Sequence, residues 1–357
     1  RANNMKLLVL TQKVDMNDPV LGFFHGWLLE FAKHCEQVIV ICLSKGEYDL
    51  PKNVKVLSLG KEQCADESGL KRGFTQIKYI YRFYKFIWLE RGNYDVVFAH
   101  MNPEYVILGT PPWKFFGKKI ALWYTHKSVD LKLRLAEKFA DVIFTASRES
   151  FRLKSNKVIV TGHGIDTLEF WPTKEKRKNG LKIITVGRIS PTKDYETLID
   201  AVQTVSRQIS GVSLDIVGNV GTPEQGDYLF QLKNSVNEKG LNGTIKFVGP
   251  IPHNKIVSVL QQADLFINLS HTGSLDKAVL EAMSCGTPVL TSNEAFSDII
   301  AKYGLIFEKK NSRDLAAKIE AVLSGKLIVP KTELRDEVVK NHSLSKLIPK
   351  IVSLLSK

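Results

Sequence analysis

Short apolar runs alternate with helical patterns along nearly the whole chain, and the alternation occurs twice. Residues 6–11 and 37–42 read as buried strands on either side of a helical pattern over residues 22–34, a β-α-β beginning. Further strands are predicted over residues 94–100, 119–124, 142–145 and 157–161. Strands that alternate with helices bury both faces as a parallel, doubly wound sheet with helices on each side. The polar, Lys-rich stretch from Pro172 to Gly180 interrupts the pattern as a surface linker would. Strands then resume over residues 181–186, 212–217, 245–248, 265–269 and 288–291. The expected fold class is therefore α/β, with two domains in tandem over residues 5–171 and 181–340. A helix over residues 341–357 has amphipathic spacing suited to covering an apolar surface, with Pro349 placed in its first turn.

Length and composition agree with this division. A chain of 357 residues is long for one core, and 44% hydrophobic with 24% charged residues describes a folded globular protein. No apolar run reaches the ~18 residues of a membrane-spanning helix. Arg1 to Asn4 read as a remnant ahead of a native Met5, no signal-peptide pattern follows, and the expected location is the cytoplasm. Cys35, Cys42, Cys64 and Cys285 form no C-x-x-C pair, so neither a disulfide framework nor a metal site is expected. The 50 basic against 37 acidic residues leave +13, which favours anionic partners without choosing among them.

Two motifs in the second half narrow the choice. Val186-Gly-Arg-Ile-Ser-Pro-Thr-Lys193 leads from a strand through a tight turn into a helix. Gly187 lets the backbone turn closely, and Arg188 and Lys193 put two cations at the carboxyl edge of the sheet, where open α/β folds bind ligands. A diphosphate suits a planar guanidinium fork beside a mobile ammonium; solvated surface charges are the alternative. The second motif runs from His271 to Val289, where a strand enters a small-residue turn and then a helix expected to begin near Leu275. Free backbone N–H groups around Ser274, Leu275, Asp276 and Lys277 form an anion-binding geometry. Glu281 lies far enough along that helix to accept from a ribose diol, an inference carried by the surrounding motif, since a mid-helix Glu is ordinarily a solvated residue.

Gly187-Arg188 with Lys193, Gly218, Phe247-Val-Gly249 and Leu280-Glu-Ala-Met-Ser-Cys-Gly-Thr-Pro288 together resemble the retaining glycosyltransferases of the GT-B fold, family four, the bacterial glycosyl transferases group 1. The resemblance implies two Rossmann-like domains facing a central cleft, with the C-terminal helix packing back. It implies that Arg188 and Lys193 neutralise the diphosphate, that Glu281 holds the ribose, and that the backbone from Gly249 to Ile251 reads the base. The implied donor is a UDP- or GDP-sugar, with no cofactor and no metal. The family places another glutamate eight residues before Glu281, where this chain has Gly273. The donor sugar is thereby left open, with Asp276 as a substitute carboxylate and Lys277 as a further cation.

In the first half, Gly22 matches the glycine that the family brings to the diphosphate; a helix-start glycine is the other reading. His126 follows a predicted strand and resembles the histidine set beside the reacting sugar. His100, which ends another strand, and His25 are candidates for facing the acceptor. His163 and Asp166 resemble an inter-domain turn and are assigned structural roles. In the helical stretch over residues 71–91, Lys71, Lys78, Arg82 and Lys85 share one stripe flanked by Phe74, Tyr79 and Phe86. Ile77, Ile80, Tyr84, Ile87 and Trp88 form the arc expected to face the core. The stripe suits peripheral attachment to an anionic membrane surface or is a solvated face; no nucleic-acid module accompanies it.

The expected function is metal-independent, retaining transfer of a hexosyl group from a nucleotide sugar to a saccharide or polyprenyl-linked saccharide in surface glycan synthesis. Gly273 prompts one alternative, a catalytically weak nucleotide-sugar-binding protein. A different GT-B enzyme, such as a sugar epimerase, is the other.

Overall fold

The computed structural model describes residues 4–63, 70–173, 180–271 and 273–356. They divide into two compact units, one of Arg1–Gly164, Pro252–Asn254 and Leu344–Lys357, the other of Ile165–Ile251 and Lys255–Ser343.

The first unit contains β1 (Lys6–Val14), α1 (Phe23–His34), β2 (Gln37–Lys45), β3 (Val54–Ser58), α2 (Leu70–Leu89), β4 (Val96–His100), α3 (Pro103–Phe115), β5 (Lys119–Trp123), α4 (Leu131–Phe139), β6 (Val142–Thr145) and β7 (Val158–Val160). Among the described residues its strands form one parallel sheet in the order β3-β2-β1-β4-β5-β6-β7. Both faces of β1 are buried, and side chains alternate across it. Leu7 and Val9 join Phe24 and Trp27 on one face, while Leu8 and Leu10 join Phe83 and Trp113 on the other. The edge strand β3 was not among the strands expected from sequence. Its residues are only partly buried or exposed, so no continuous apolar run marks it.

The second unit contains β8 (Leu181–Val186), α5 (Tyr195–Gln208), β9 (Val212–Val217), α6 (Pro223–Glu238), β10 (Ile245–Gly249), α7 (His253–Gln261) from Lys255 onward, β11 (Leu265–Asn268), α8 (Lys277–Ser284), β12 (Val289–Thr291), α9 (Ser297–Ile300), α10 (Ser312–Leu323) and α11 (Lys331–Asn341). Its described strands are parallel, in the order β10-β9-β8-β11-β12. The unit begins at Ile165, earlier than the linker suggested. Ile165 and Phe170 belong to its core, and Arg335 donates to the carbonyls of Phe170 and Thr167 at 2.9 and 3.1 Å. Asp166 makes the turn expected of it, its Oδ1 accepting from the N–H groups of Leu168 and Glu169 at 3.0 and 3.1 Å.

The terminal helix α12 (Leu344–Leu355) returns to the first unit and packs on α1. Pro349 is the sixth residue of this helix and not part of its first turn, so it denies an N–H to the carbonyl of Ser345. A mid-helix proline costs roughly 3 kcal/mol. Burial of Leu344, Leu347, Ile348, Ile351, Val352 and Leu355 contributes about 1.5–3 kcal/mol for each side chain, so the apolar face outweighs the broken ladder. Among the described residues no helix is long and apolar enough to cross a membrane.

Candidate functional site

In the second unit the strand order reverses between β8 and β11, which lie side by side although two β-α segments separate them in sequence. Loops leaving the carboxyl ends of two such strands diverge and open a crevice at the sheet edge. One wall is the turn from Gly187 to Lys193, the other is formed by residues 269–271 and 273–276. Gly218, at the end of β9, makes the first wall possible. A Cβ there would stand 1.8 Å from the carbonyl oxygen of Gly187, so any side chain would push the two strand ends apart.

Arg188 is exposed on this edge, with its stem against Gly221, where a Cβ would lie 3.6 Å from the guanidinium Nε. Lys193 ends a short 3-10 turn, and its Nζ donates to both oxygens of Asp276 at 3.2 and 3.1 Å. Asp276 holds the N-cap position of α8 without capping it, because its carboxylate is turned to Lys193 and to Asn268 Nδ2, 2.8 Å away. Asn268 is a junction that sequence reasoning missed. Its Oδ1 also accepts from Thr291 Oγ1 at 3.0 Å and the N–H of Ser270 at 3.3 Å. The only trace of it in the sequence is an amide closing the apolar strand Leu265–Asn268. Asn293 adds a tie to the second wall by donating to the carbonyl of Ser274 at 2.8 Å.

Several expectations change here. Helix α8 starts at Lys277 rather than near Leu275, and Leu275 is buried. Asp276, expected as a substitute carboxylate for the donor sugar, is an ion-pair partner of Lys193. Lys277, expected as a further cation, is engaged within its own helix, its Nζ pairing with the carboxylate of Glu281 one turn on. Burial lowers the Lys277 pKa, and the charges of Glu281, Glu169 and Asp166 oppose that shift. Glu281 is thus one half of a buried pair, not a solvated mid-helix residue. Gly273 sits at φ +62°, a left-handed conformation that would strain a glutamate, so the residue type follows the backbone. Gly249, at φ +86°, ends β10 and accepts from the N–H of Gly218 at 3.0 Å, while Ile251 packs against the core.

In the first unit His126 is exposed after the end of β5. Its Nδ1 accepts from the N–H of Ser128 at 3.1 Å, which puts the proton of the neutral ring on Nε2. Gly22 occupies the N-cap position of α1, and a Cβ there would stand 2.4 Å from the carbonyl oxygen of Asp18, so the turn itself requires glycine. His25 is committed to the loop before β3, its Nε2 accepting from the N–H of Asp49 at 3.1 Å. His100 does not face the surface. It is 3% exposed, stacks on Phe24 with ring centroids 4.1 Å apart, and lies 3.5 Å from Thr11 Oγ1. An acceptor role for His100 therefore has no exposed ring to act through. His163 is buried as well.

Burial pushes the His100 pKa down to about 3, with the nearby His163 acting in the same direction. The folded protein thus refuses a proton that the unfolded chain accepts near pH 6.5. Stability present above that pH is expected to fall as the pH is lowered towards 3, by about 1.4 kcal/mol per unit from this residue. Burial also depresses His342, and the two effects add in sign. Urea midpoints measured from pH 7 to 5 should show the decline, with a shallower slope in His100→Leu; an unchanged slope would contradict the assignment.

Helix α2 is rotated from its expected orientation. Tyr79, Phe83, Phe86 and Ile87 pack inward, with Phe83 against Tyr105 at 5.7 Å and Trp113 at 6.1 Å. Ile77, Ile80, Tyr84 and Trp88, assigned to the core arc, are exposed, Ile77 to 64%. Arg82, assigned to the outer stripe, turns in and donates to the carbonyl of Leu59 at 2.8 Å. The three bulky rings fill the space against the sheet, and they set which face is covered. Lys78 and Lys85 remain exposed; the side chains of Lys71 and Phe74 lie outside the described residues.

Comparison with known proteins agrees with this geometry. Residues 168–343 match the family model described as glycosyl transferases group 1. An uncharacterized glycosyltransferase of Methanocaldococcus jannaschii is 31% identical over 255 residues, covering 67% of this chain and 59% of that protein. The amylovoran biosynthesis glycosyltransferase AmsK of Erwinia amylovora is 28% identical over 148 residues, covering 40% of this chain and 35% of that protein. The chain thus spans less than two thirds of the length of these relatives. Anabaena HepE, solved in complex with UDP-glucose, superposes with a TM-score of 0.75 at 17% identity, covering 98% of this chain and 99% of that one; this likeness shows the fold.

Proposed function

We propose that the chain, whose residues 168–343 match the glycosyl transferases group 1, transfers a hexosyl group, with retention, from a nucleoside diphosphate sugar to a saccharide or lipid-linked saccharide acceptor. The observation that carries this reading is the pair of cations, Arg188 and Lys193, on the turn that lines the β8/β11 crevice. As the bond from the anomeric carbon to the diphosphate breaks, negative charge grows on the leaving group. A guanidinium and an ammonium on this turn stabilise that charge more than they stabilise the bound donor. Asp276 holds Lys193 in position and keeps its bond from Asn268, so a phosphate oxygen can take over the ammonium without leaving the carboxylate unpartnered. In the retaining step the acceptor oxygen bonds to the anomeric carbon on the face that the phosphate leaves, and the departing phosphate oxygen takes the acceptor proton. The transfer needs no metal.

UDP is favoured over GDP by the likeness to HepE, whose structure holds UDP-glucose. A role in surface polysaccharide synthesis is supported by the similarity to AmsK. Peripheral attachment to an anionic membrane is supported by the exposed face of α2, where Lys78 and Lys85 flank Ile77, Tyr81 and Trp88. A thermal-shift screen over UDP- and GDP-hexoses, followed by turnover of labelled donor, tests the reading. A UDP-hexose should raise the melting temperature and release UDP in the presence of acceptor. Binding without turnover would replace the transferase with the nucleotide-sugar-binding alternative.

A further inference from the structure

Lys193 and Asp194, consecutive at the end of the first wall of the crevice, each reach a residue of opposite polarity on the second wall. Lys193 meets Asp276, as described above. The Asp194 carboxylate stands 3.5 Å from His271, Oδ2 to Nε2. The backbone adds a third tie, because the N–H of His271 donates to the carbonyl of Thr192 at 3.0 Å. His271 therefore holds both chain neighbours of Lys193, which lies between two fixed points.

Asp194 is shaped for this contact. It is buried and sits at φ +46°, ψ +52°, a left-handed conformation that glycine adopts without strain and that aspartate adopts only at a cost. It occupies the N-cap position of α5 but does not cap the helix. Instead its Oδ1 accepts from Thr197 Oγ1 at 2.9 Å, which fixes the carboxylate with Oδ2 beside His271. That oxygen is buried and accepts no hydrogen bond among the described residues, and a protonated imidazole next to it offsets its desolvation.

The two pairs across the crevice differ in what an anionic ligand can do to them. A phosphate can take Lys193 from Asp276, which keeps its bond from Asn268. Taking His271 from Asp194 would leave a buried carboxylate with no counter-charge, a larger penalty. The second pair therefore stays closed while the first opens.

We propose that His271 and Asp194 are positioning residues, a clasp that keeps the Lys193 turn on the second wall while the Lys193 ammonium leaves Asp276 for the diphosphate. The clasp rests on the donor-site reading above and acts through Lys193, with neither residue touching the donor. A double-mutant cycle on the full chain tests it, reading UDP and GDP affinity by calorimetry and kcat/KM for hexosyl transfer from the nucleotide that binds. His271→Ala is one variant. Asp194→Asn is the other, since asparagine tolerates the left-handed region and still accepts from Thr197. Each is expected to weaken nucleotide binding and lower kcat/KM by about 10- to 100-fold, the scale of a misplaced charged group. In a Lys193→Ala background the same substitutions should change either quantity by about twofold at most, because the residue they position is gone. A general loss of structure would act equally in both backgrounds, and circular-dichroism melts establish which variants are folded. Effects of equal size with and without Lys193, or wild-type affinity and activity in folded Asp194→Asn, would overturn the clasp. If the coupling appears in nucleotide affinity but no hexose is transferred, the clasp stands and the transferase reading fails. If transfer proceeds and the coupling is absent, the clasp fails alone; if neither nucleotide binds, both fail.

Discussion

Arg188→Ala is expected to reduce kcat/KM for transfer by about 10²–10³, the usual loss when a preorganised donor to a developing anion is removed. Arg188→Lys should recover only part of this, because an ammonium cannot reproduce the planar fork. Lys193→Ala should be at least as damaging, since it removes a cation and leaves the Asp276 carboxylate, still held by Asn268, beside the diphosphate. That repulsion can be measured separately. The double variant Lys193→Ala with Asp276→Asn should be more active than Lys193→Ala alone, because the amide carries no charge. Steady-state kinetics on the four proteins provide the check. Full activity in Arg188→Ala would remove the foundation of the donor-site assignment.

The second large effect is on folding. Lys277 and Glu281 form a pair with side chains only 18% and 5% exposed. Lys277→Met removes the ammonium beside a buried carboxylate, and breaking a buried pair from one side costs about 3–5 kcal/mol. For a unit of this size the melting temperature should fall by roughly 6–20 °C. Replacing both partners, Lys277→Met with Glu281→Leu, should restore most of the stability, because no charge is left buried. The double variant also separates the two roles of Glu281. If the glutamate holds the ribose, the refolded double variant binds UDP weakly; if it binds UDP as well as wild type, Glu281 serves the fold alone. An unchanged melting temperature in Lys277→Met would show the pair to be energetically idle.

The motif that points to a nucleotide sugar was legible because its chemistry is local. Gly187, Arg188 and Lys193 lie within seven consecutive residues leaving one strand, and the run from Leu280 to Pro288 is contiguous on one helix and its turn. The partners of these residues were not legible. Asp276 meets Lys193 across 83 positions of sequence, and Asn268 reaches Thr291 across 23. Long-range contacts of this kind depend on strand order, which side-chain periodicity does not encode. The same holds for His100, whose place at a strand end suggested function and whose ring lies under Phe24 and Trp27.

By itself, then, the sequence determined the two α/β units, their parallel sheets and the turn that presents Arg188 and Lys193, because strand and helix periodicities and glycine turns are properties of neighbouring residues. The tertiary structure alone decided how these charges are partnered and which side chains are covered. It tied Lys193 to Asp276 and Lys277 to Glu281, turned Arg82 inward and left Ile77 and Trp88 in solvent. A helix's period says which residues share a face, but only the packing of Phe83 and Phe86 against the sheet determines which face is covered.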